Sequence, residues 1–124
     1  MERLTREQVE KVVSSAYPKR PNLNGADLSG LDLNGVNLMG ADLVEANLSG
    51  ANLSEAMLGG ADLRRANLRG AILAGAGLVK ADLREADLNE TDLSETSLLA
   101  AKYNDATHWP AGFEPASVGA TREV

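Results

Sequence analysis

The chain has 124 residues, enough for one small domain, and its 18 acidic and 12 basic side chains give a net charge of −6. This balance excludes a general nucleic-acid binder, whose surface would be basic. The lack of cysteine excludes disulfides and thiolate metal sites. No run approaches the roughly 20 apolar residues of a membrane span, and the charged N-terminus does not resemble a secretory signal. We therefore expect a cytoplasmic protein.

The first predicted element is a short amphipathic helix over residues 6–16, which is followed by two prolines that end it. A Thr-x-x-Gln capping box and a hydrophobic staple mark its start. We assign residues 1–20 to this helix and a linker, which close one end of the molecule. The alternative is a helix that binds a membrane surface or a partner. The residues assigned to this N-terminal cap are Leu4, Thr5, Gln8, Val9, Val12, Val13 and Tyr17.

From residue 21 onward the sequence has a period of five. Leucine occupies every fifth position from Leu23 to Leu98, sixteen times in succession, and the residue two before it is usually alanine. An α-helix would scatter these leucines, because five steps of about 100° turn each one by roughly 140°. A flat strand would send alternate leucines to opposite faces. Three extended residues followed by a two-residue corner bring every leucine inward, so each repeat predicts one side of a polygonal tube.

The repeat has the form A(D/N)LxG, as in ADLVEANLSGANLSE at residues 41–55. This pattern resembles the pentapeptide-repeat family over residues 21–105. The resemblance implies an all-β solenoid, a right-handed quadrilateral parallel β-helix with four repeats per coil, and therefore about four coils here. It also suggests a small protein of the cyanobacterial type, a group in which most members have no assigned biochemical role.

The last predicted element is an aromatic cap at the other end of the tube. Tyr103, Trp109 and Phe113 follow the leucine series, where a narrow tube first leaves room for rings. We assign residues 106–124 to this cap and to a flexible tail, and we expect the tail to fray from residue 116 onward.

One side of the predicted tube is apolar. Residues 20 apart stack on one another, so the repeats centred on leucines 38, 58, 78 and 98 share a side, which carries one charge, Lys80. A contiguous apolar patch on an acidic molecule indicates a contact surface. Four alternatives stay open for what covers this side: the chain's own tail or helix, a second copy, a separate protein, or nothing. The candidate interaction residues are Met39, Met57, Val79 and Leu99 on this side, together with Ile72, which adjoins them on the next side.

Two columns of charge are predicted on the side built on leucines 23, 43, 63 and 83. Asp42, Asp62 and Asp82 stack as a like-charge ladder, which we interpret as neutralised by flanking arginines in preference to a cation site. Glu45, Arg65 and Glu85 form a second column that alternates in sign and favours adjacent coils modestly.

No pattern predicts catalysis, a cofactor or a metal site. The sole histidine, His108, lies beside Trp109, where a structural role is preferred to a catalytic one. The glycines mark corners and do not form a phosphate-binding loop, and the carboxylates lie on a convex surface. We predict a non-enzymatic interaction module that docks a protein, or a second copy of itself, through the apolar side. No small-molecule substrate, nucleic acid or membrane is expected as a partner.

The alternative function is mimicry of duplex DNA, through which some members of the family protect gyrase. Residues 21–100 carry 12 acidic and 5 basic side chains, a net charge of −7. Against this, four coils about 4.8 Å apart span only roughly six base pairs. Phenylalanine, common at the central position of those members, never occupies it here. Ice binding would need ranks of threonine, which the repeats lack.

Overall fold

The computed structural model describes residues 2–124 and begins with helix α1, Arg6–Ala16, at the predicted bounds. Both hydrogen bonds of the capping box are present. The Gln8 backbone N–H donates to Thr5 Oγ1 over 3.1 Å, and the Thr5 N–H donates to Gln8 Oε1 over 2.8 Å. Val9 is fully buried among the leucines of the tube. In the described part of the chain, no helix has the length and apolarity needed to cross a membrane.

Tyr17 does not join the buried face of α1, so its assignment to the N-terminal cap is wrong. The helix ends at Ala16, and Tyr17 has φ −52° and ψ 135°. A residue before proline is driven to extended backbone, which takes its side chain off the helical spacing. The Tyr17 ring is 85% exposed, whereas Val12 and Val13 are partly buried against the core.

Each five-residue repeat forms one side of a square tube, with three extended residues and a two-residue turn. Parallel bridges join residues 20 apart, for example Asn22 with Asp42 and Asp82 with Lys102. Backbone hydrogen bonds run between the stacked circuits, as from the Leu43 N–H to the Asp62 carbonyl over 2.8 Å. We call the stacked blocks layer 1 (21–40), layer 2 (41–60), layer 3 (61–80) and layer 4 (81–100).

The inside of the tube holds one large and one small residue per side, as predicted. Twelve leucines from Leu28 to Leu83 are fully buried, and the alanines between them are at most slightly exposed. Where threonine replaces alanine in layer 4, its hydroxyl has a partner. Thr91 Oγ1 donates to the Leu68 carbonyl over 2.9 Å, and Thr96 Oγ1 donates to the Leu73 carbonyl over 2.6 Å. The core therefore contains these polar groups without leaving them unpaired.

The second residue of every corner has a left-handed backbone. Eight of the sixteen corners place a residue other than glycine there, such as Glu45 with φ 60°, and eight place glycine, such as Gly50 with φ 67°. A side chain in this conformation costs roughly 1–2 kcal/mol relative to the right-handed form. The sharp corner is thus imposed by the stacked layers.

Beyond layer 4 the chain continues to wind, so the expected fraying after residue 116 is wrong. Strand β1, Lys102–Tyr103, pairs in parallel with strand β2, Thr121–Arg122, and a 3-10 helix, Pro115–Val118, lies between them. The Arg122 guanidinium also binds both oxygens of Asp105, over 2.7 and 2.8 Å. The strand edge left by β1 offers backbone partners that hold the tail in place.

The predicted aromatic residues meet in one cluster. Trp109 contacts Tyr103 edge-on, with ring centroids 5.6 Å apart, and stacks on Phe113 at 5.1 Å. Trp109 and Phe113 pack against the leucine core.

Candidate functional site

The Asp or Asn before each leucine stabilises the next corner. Asn52 Oδ1, for example, accepts from the Ser54 N–H over 3.0 Å and from the Ser54 hydroxyl over 2.6 Å. Eleven of the twelve Asp or Asn side chains at this position of residues 21–100 accept the N–H two residues later. From the sequence alone, these side chains were predicted only as outward polar groups. Their restriction to Asp and Asn was the signal for this turn.

The repeats that lack Asp or Asn concentrate on one side of the tube. The four exceptions are Met57, Ile72, Gly77 and Ser97. Met57, Gly77 and Ser97 stack in one column, and a backbone bridge joins Met57 to Asn37 in the layer before. The absence of each corner hydrogen bond lowers the free energy of unfolding by about 0.5–1.5 kcal/mol. In layers 2 to 4, this side therefore forgoes a local stabilising device that the other sides use.

The same side exposes a row of apolar side chains. Met39, Met57, Val79 and Leu99 contribute one residue from each layer, with 57%, 43%, 36% and 61% of their surface exposed. We call these four residues the apolar strip. Ile72 is also exposed but pairs with Asn52 and Asp92, which places it on the neighbouring side. The structure thus brings four of the five candidate residues together on one side and places Ile72 on the side next to it.

The chain's own helix and tail reach only the two ends of the strip. At one end, Tyr17 and Met39 line a shallow cleft between α1 and layer 1. At the other, the Ala100 N–H donates to the Gly119 carbonyl over 2.8 Å, which lays the tail beside Leu99. The centre of the strip remains open to solvent.

Two glycines make hollows beside the apolar side chains. A Cβ added at Gly77 would meet no atom within 4 Å. One added at Gly59 would make ordinary contacts at 3.6 Å with Met39 Cε and the Val79 carbonyl. The bridges align Met57 with Gly77, so in layers 2 and 3 each column holds one projecting side chain and one glycine hollow.

The predicted ladder of aspartates is paired with arginines. The nearest contacts are 2.8 Å from Arg20 to Asp42, 2.7 Å from Arg64 to Asp62 and 2.6 Å from Arg84 to Asp82. Hydrogen bonds from Arg64 hold the pKa of Asp62 below its ordinary value. Burial would raise the pKa of Asp82, but hydrogen bonds from Arg84 outweigh it and lower that pKa. In the second predicted column, Arg65 binds Glu85 over 3.1 Å.

His108 lies in the backbone ladder beyond layer 4. Its N–H donates to the Ala86 carbonyl over 3.0 Å, and its carbonyl accepts from the Leu88 N–H over 2.7 Å. Within residues 2–124, no group of three or more histidine, aspartate or glutamate side chains is placed to hold a metal ion.

Comparison with known proteins gives a consistent result. A family model for pentapeptide repeats matches in eight copies, over residues 22–60, 46–84 and 61–98. No match was found among the curated proteins. One similar solved structure is Rfr23, a pentapeptide repeat protein from the cyanobacterium Cyanothece 51142, with 44% identity over 73% of this chain and a TM-score of 0.72. The match spans 61% of the length of Rfr23. Another is alr5209, a pentapeptide repeat protein from Nostoc PCC 7120, with 32% identity, a TM-score of 0.60, and coverage of 93% of this chain and 95% of that one.

Proposed function

Because the chain belongs to the pentapeptide-repeat family, whose members form right-handed quadrilateral β-helices, we propose that it is a non-enzymatic, cytoplasmic interaction module. It docks a protein, or a second copy of itself, through the apolar strip. One observation carries this proposal: in layers 2 to 4 the strip's side replaces the corner-forming Asp or Asn by other residues and exposes apolar side chains.

Met57 illustrates the argument. An Asn at this position would bond the next corner, as Asn52 does in the preceding repeat. Met57 makes no such bond, and its side chain points away from the core with 43% of its surface exposed. A residue that stabilises neither the corner nor the core is best explained by a contact outside the chain.

The titration behaviour of the carboxylates supports a non-enzymatic role. A general acid near neutral pH needs a raised pKa. Each carboxylate with a shifted pKa is shifted downward instead, by hydrogen bonds from a neighbouring serine or arginine that outweigh burial. These residues are Asp27, Asp62, Asp82, Asp92 and Asp105.

We also infer that the tube consists of four leucine-filled coils closed by α1 at one end and by the aromatic cluster at the other. Trp109 packs on the core, and its indole N–H has no partner among the described residues. Trp109→Ala is expected to lower the free energy of unfolding by about 2 kcal/mol or more. Trp109→Phe keeps a ring and removes the unpaired donor, so it should be nearly neutral in urea unfolding. Equal losses in both variants would contradict a packing role.

Mimicry of DNA remains the alternative function, and the ion pairs weigh against it. Arg64, Arg69 and Arg84 each contact a carboxylate on the repeats, which divides the negative field that a mimic would need. We expect no change in gyrase supercoiling when the protein is added. Inhibition at stoichiometric amounts would favour the alternative.

The direct test of the proposal places charge on the strip. Met57→Glu combined with Val79→Glu should abolish self-association and capture of a partner from the source cell, while circular dichroism and urea unfolding stay close to the parent. The matched control, Ser49→Glu with Asn89→Glu, adds the same charge to the opposite side and should change neither. Unaltered binding by the strip variant, or equal loss in the control, would reject the strip as the docking surface.

A further inference from the structure

We propose that the occupant of the apolar strip is a second copy of this chain, docked antiparallel about a two-fold axis. The axis runs along the strand direction and passes between layers 2 and 3. This inference rests on the proposed function and specifies its partner.

The proposed axis matches projecting side chains with hollows. It exchanges layer 2 with layer 3 and keeps every column in place. Met57 then lies opposite Gly77 of the second copy, where a Cβ would meet no atom within 4 Å. Val79 lies opposite Gly59 of the second copy, in the hollow bordered by Met39. Each contact occurs twice, so four projecting side chains enter four glycine hollows.

The outer layers are also compatible. The axis exchanges layer 1 with layer 4, so Met39 lies opposite Leu99, and both side chains are more than half exposed in the single chain. Asn37 lies opposite Ser97, which pairs a polar group with a polar group. The one charge of this side, Lys80, lies opposite Gly60 and meets no charge of its own sign.

A parallel arrangement lacks this match in the outer layers. A two-fold axis along the tube would place each layer opposite its own copy and exchange the columns before and after the leucines. Met57 would then meet Gly59, but Met39 would meet Asn37 and Leu99 would meet Ser97, so each exposed apolar side chain of the outer layers would face a polar one. Burying a polar group against an apolar one costs free energy. The outer layers therefore select the antiparallel arrangement.

The interface extends past the strip at both ends. Tyr17 and Met39 line one cleft, and Gly119 in the tail borders Leu99, so the two-fold axis brings Tyr17 of one copy toward the tail of the other. Five of the eight large exposed hydrophobic residues lie along this one surface, namely the apolar strip and Tyr17. A surface of about 30 Å by 15 Å buries on the order of 900 Å² in total, which is the size of a weak, reversible dimer.

A reciprocal exchange tests the pairing. Gly77→Met should fold normally, because a Cβ there has free space, yet weaken dimerisation about tenfold or more in sedimentation equilibrium. Met57→Gly should also weaken it. The double variant, Met57→Gly with Gly77→Met, restores a projection opposite a hollow and should recover the parent affinity to within about threefold. Asn67→Met on the opposite side serves as the control and should leave the affinity unchanged.

Distance measurements test the orientation. The chain has no cysteine, so single spin labels at Ser15→Cys in α1 or Val124→Cys in the tail are unambiguous. In the antiparallel dimer, a label in α1 lies near the tail of the second copy and on the order of 30 Å from the other α1. Short distances between the two α1 labels would overturn the inference.

The association experiment separates this inference from the proposed function. A chain that stays monomeric up to millimolar concentration, or a double variant that fails to recover, overturns the second copy as occupant. The proposed function then still stands or falls by the capture experiment with Met57→Glu and Val79→Glu. Loss of a different protein in that experiment would retain the strip and replace its occupant.

Discussion

Two sides of the tube, one with the aspartate ladder and one with the apolar strip, have the same backbone conformation. They differ in the side chains that point outward. On the ladder side, Asp62 and Asp82 each bond a corner N–H and an arginine. On the strip side, Met57 and Gly77 occupy the equivalent positions and make neither contact. The hydrogen bonds between layers are nevertheless alike, since the Leu43 and Leu58 N–H groups donate over 2.8 and 2.7 Å.

This difference shows that the inward and outward positions have separate roles. In layers 2 and 3 the inward leucine and alanine are fully or almost fully buried on both sides, so they fix the tube whatever lies outside. The outward residue adds a local bond where it is Asp or Asn, and it is free for other chemistry where it is not. An apolar surface can thus replace corner bonds on one side at a modest cost in stability.

The largest predicted effect compares two adjacent residues. Leu58→Ala removes a fully buried side chain and should lower the free energy of unfolding by about 2–5 kcal/mol. Met57→Ala removes an outward side chain and should change it by less than about 0.5 kcal/mol. Urea unfolding with a common m-value measures both. A comparable loss for Met57→Ala would mean that the strip is part of the structural core.

A smaller effect concerns the corner bond. Asn52→Ala removes the acceptor for two hydrogen bonds and should cost about 1 kcal/mol. Met57→Asn, one repeat later in the same layer, should introduce the same bond and gain up to about 1 kcal/mol, while weakening any docking through the strip. Destabilisation by Met57→Asn would show that this side lacks the geometry for the corner bond.

The fold could be predicted from the sequence because its information is local and repeated. The five-residue period assigns Leu48 or Leu68 inward without knowledge of any distant contact. Tyr17 and the tail were predicted wrongly for a different reason. Tyr17 follows the helical spacing, but the helix ends one residue earlier, before Pro18. The tail is held by the edge of β1 and by Asp105, partners that no local pattern reveals.

The candidate site could be predicted in composition but not in shape. Because residues 20 apart stack, the sequence alone predicted that Met39, Met57, Val79 and Leu99 share one side. The hollows were not predicted, because the glycines were interpreted only as corner residues. Gly77 stands at the centre of a side, where Asp or Asn otherwise lies, and its space is visible only once the neighbouring layers are in place.

The smallest predicted effect appears only in acid and sharpens the contrast between the two sides. The pKa values of Asp62 and Asp82 are lowered in the folded chain, so these groups stabilise it above their unfolded pKa of about 3.9. That stabilisation is lost as the pH falls through the lower folded values. Asp62→Asn with Asp82→Asn keeps the corner acceptor but removes the charge, so urea midpoints should fall less steeply below about pH 5 than in the parent. Met57→Asn alters no titrating group, and its midpoints should run parallel to those of the parent. Equal slopes in all three proteins would mean that the arginine pairs of the ladder do not contribute to stability, and that only the corner bonds distinguish its side from the strip.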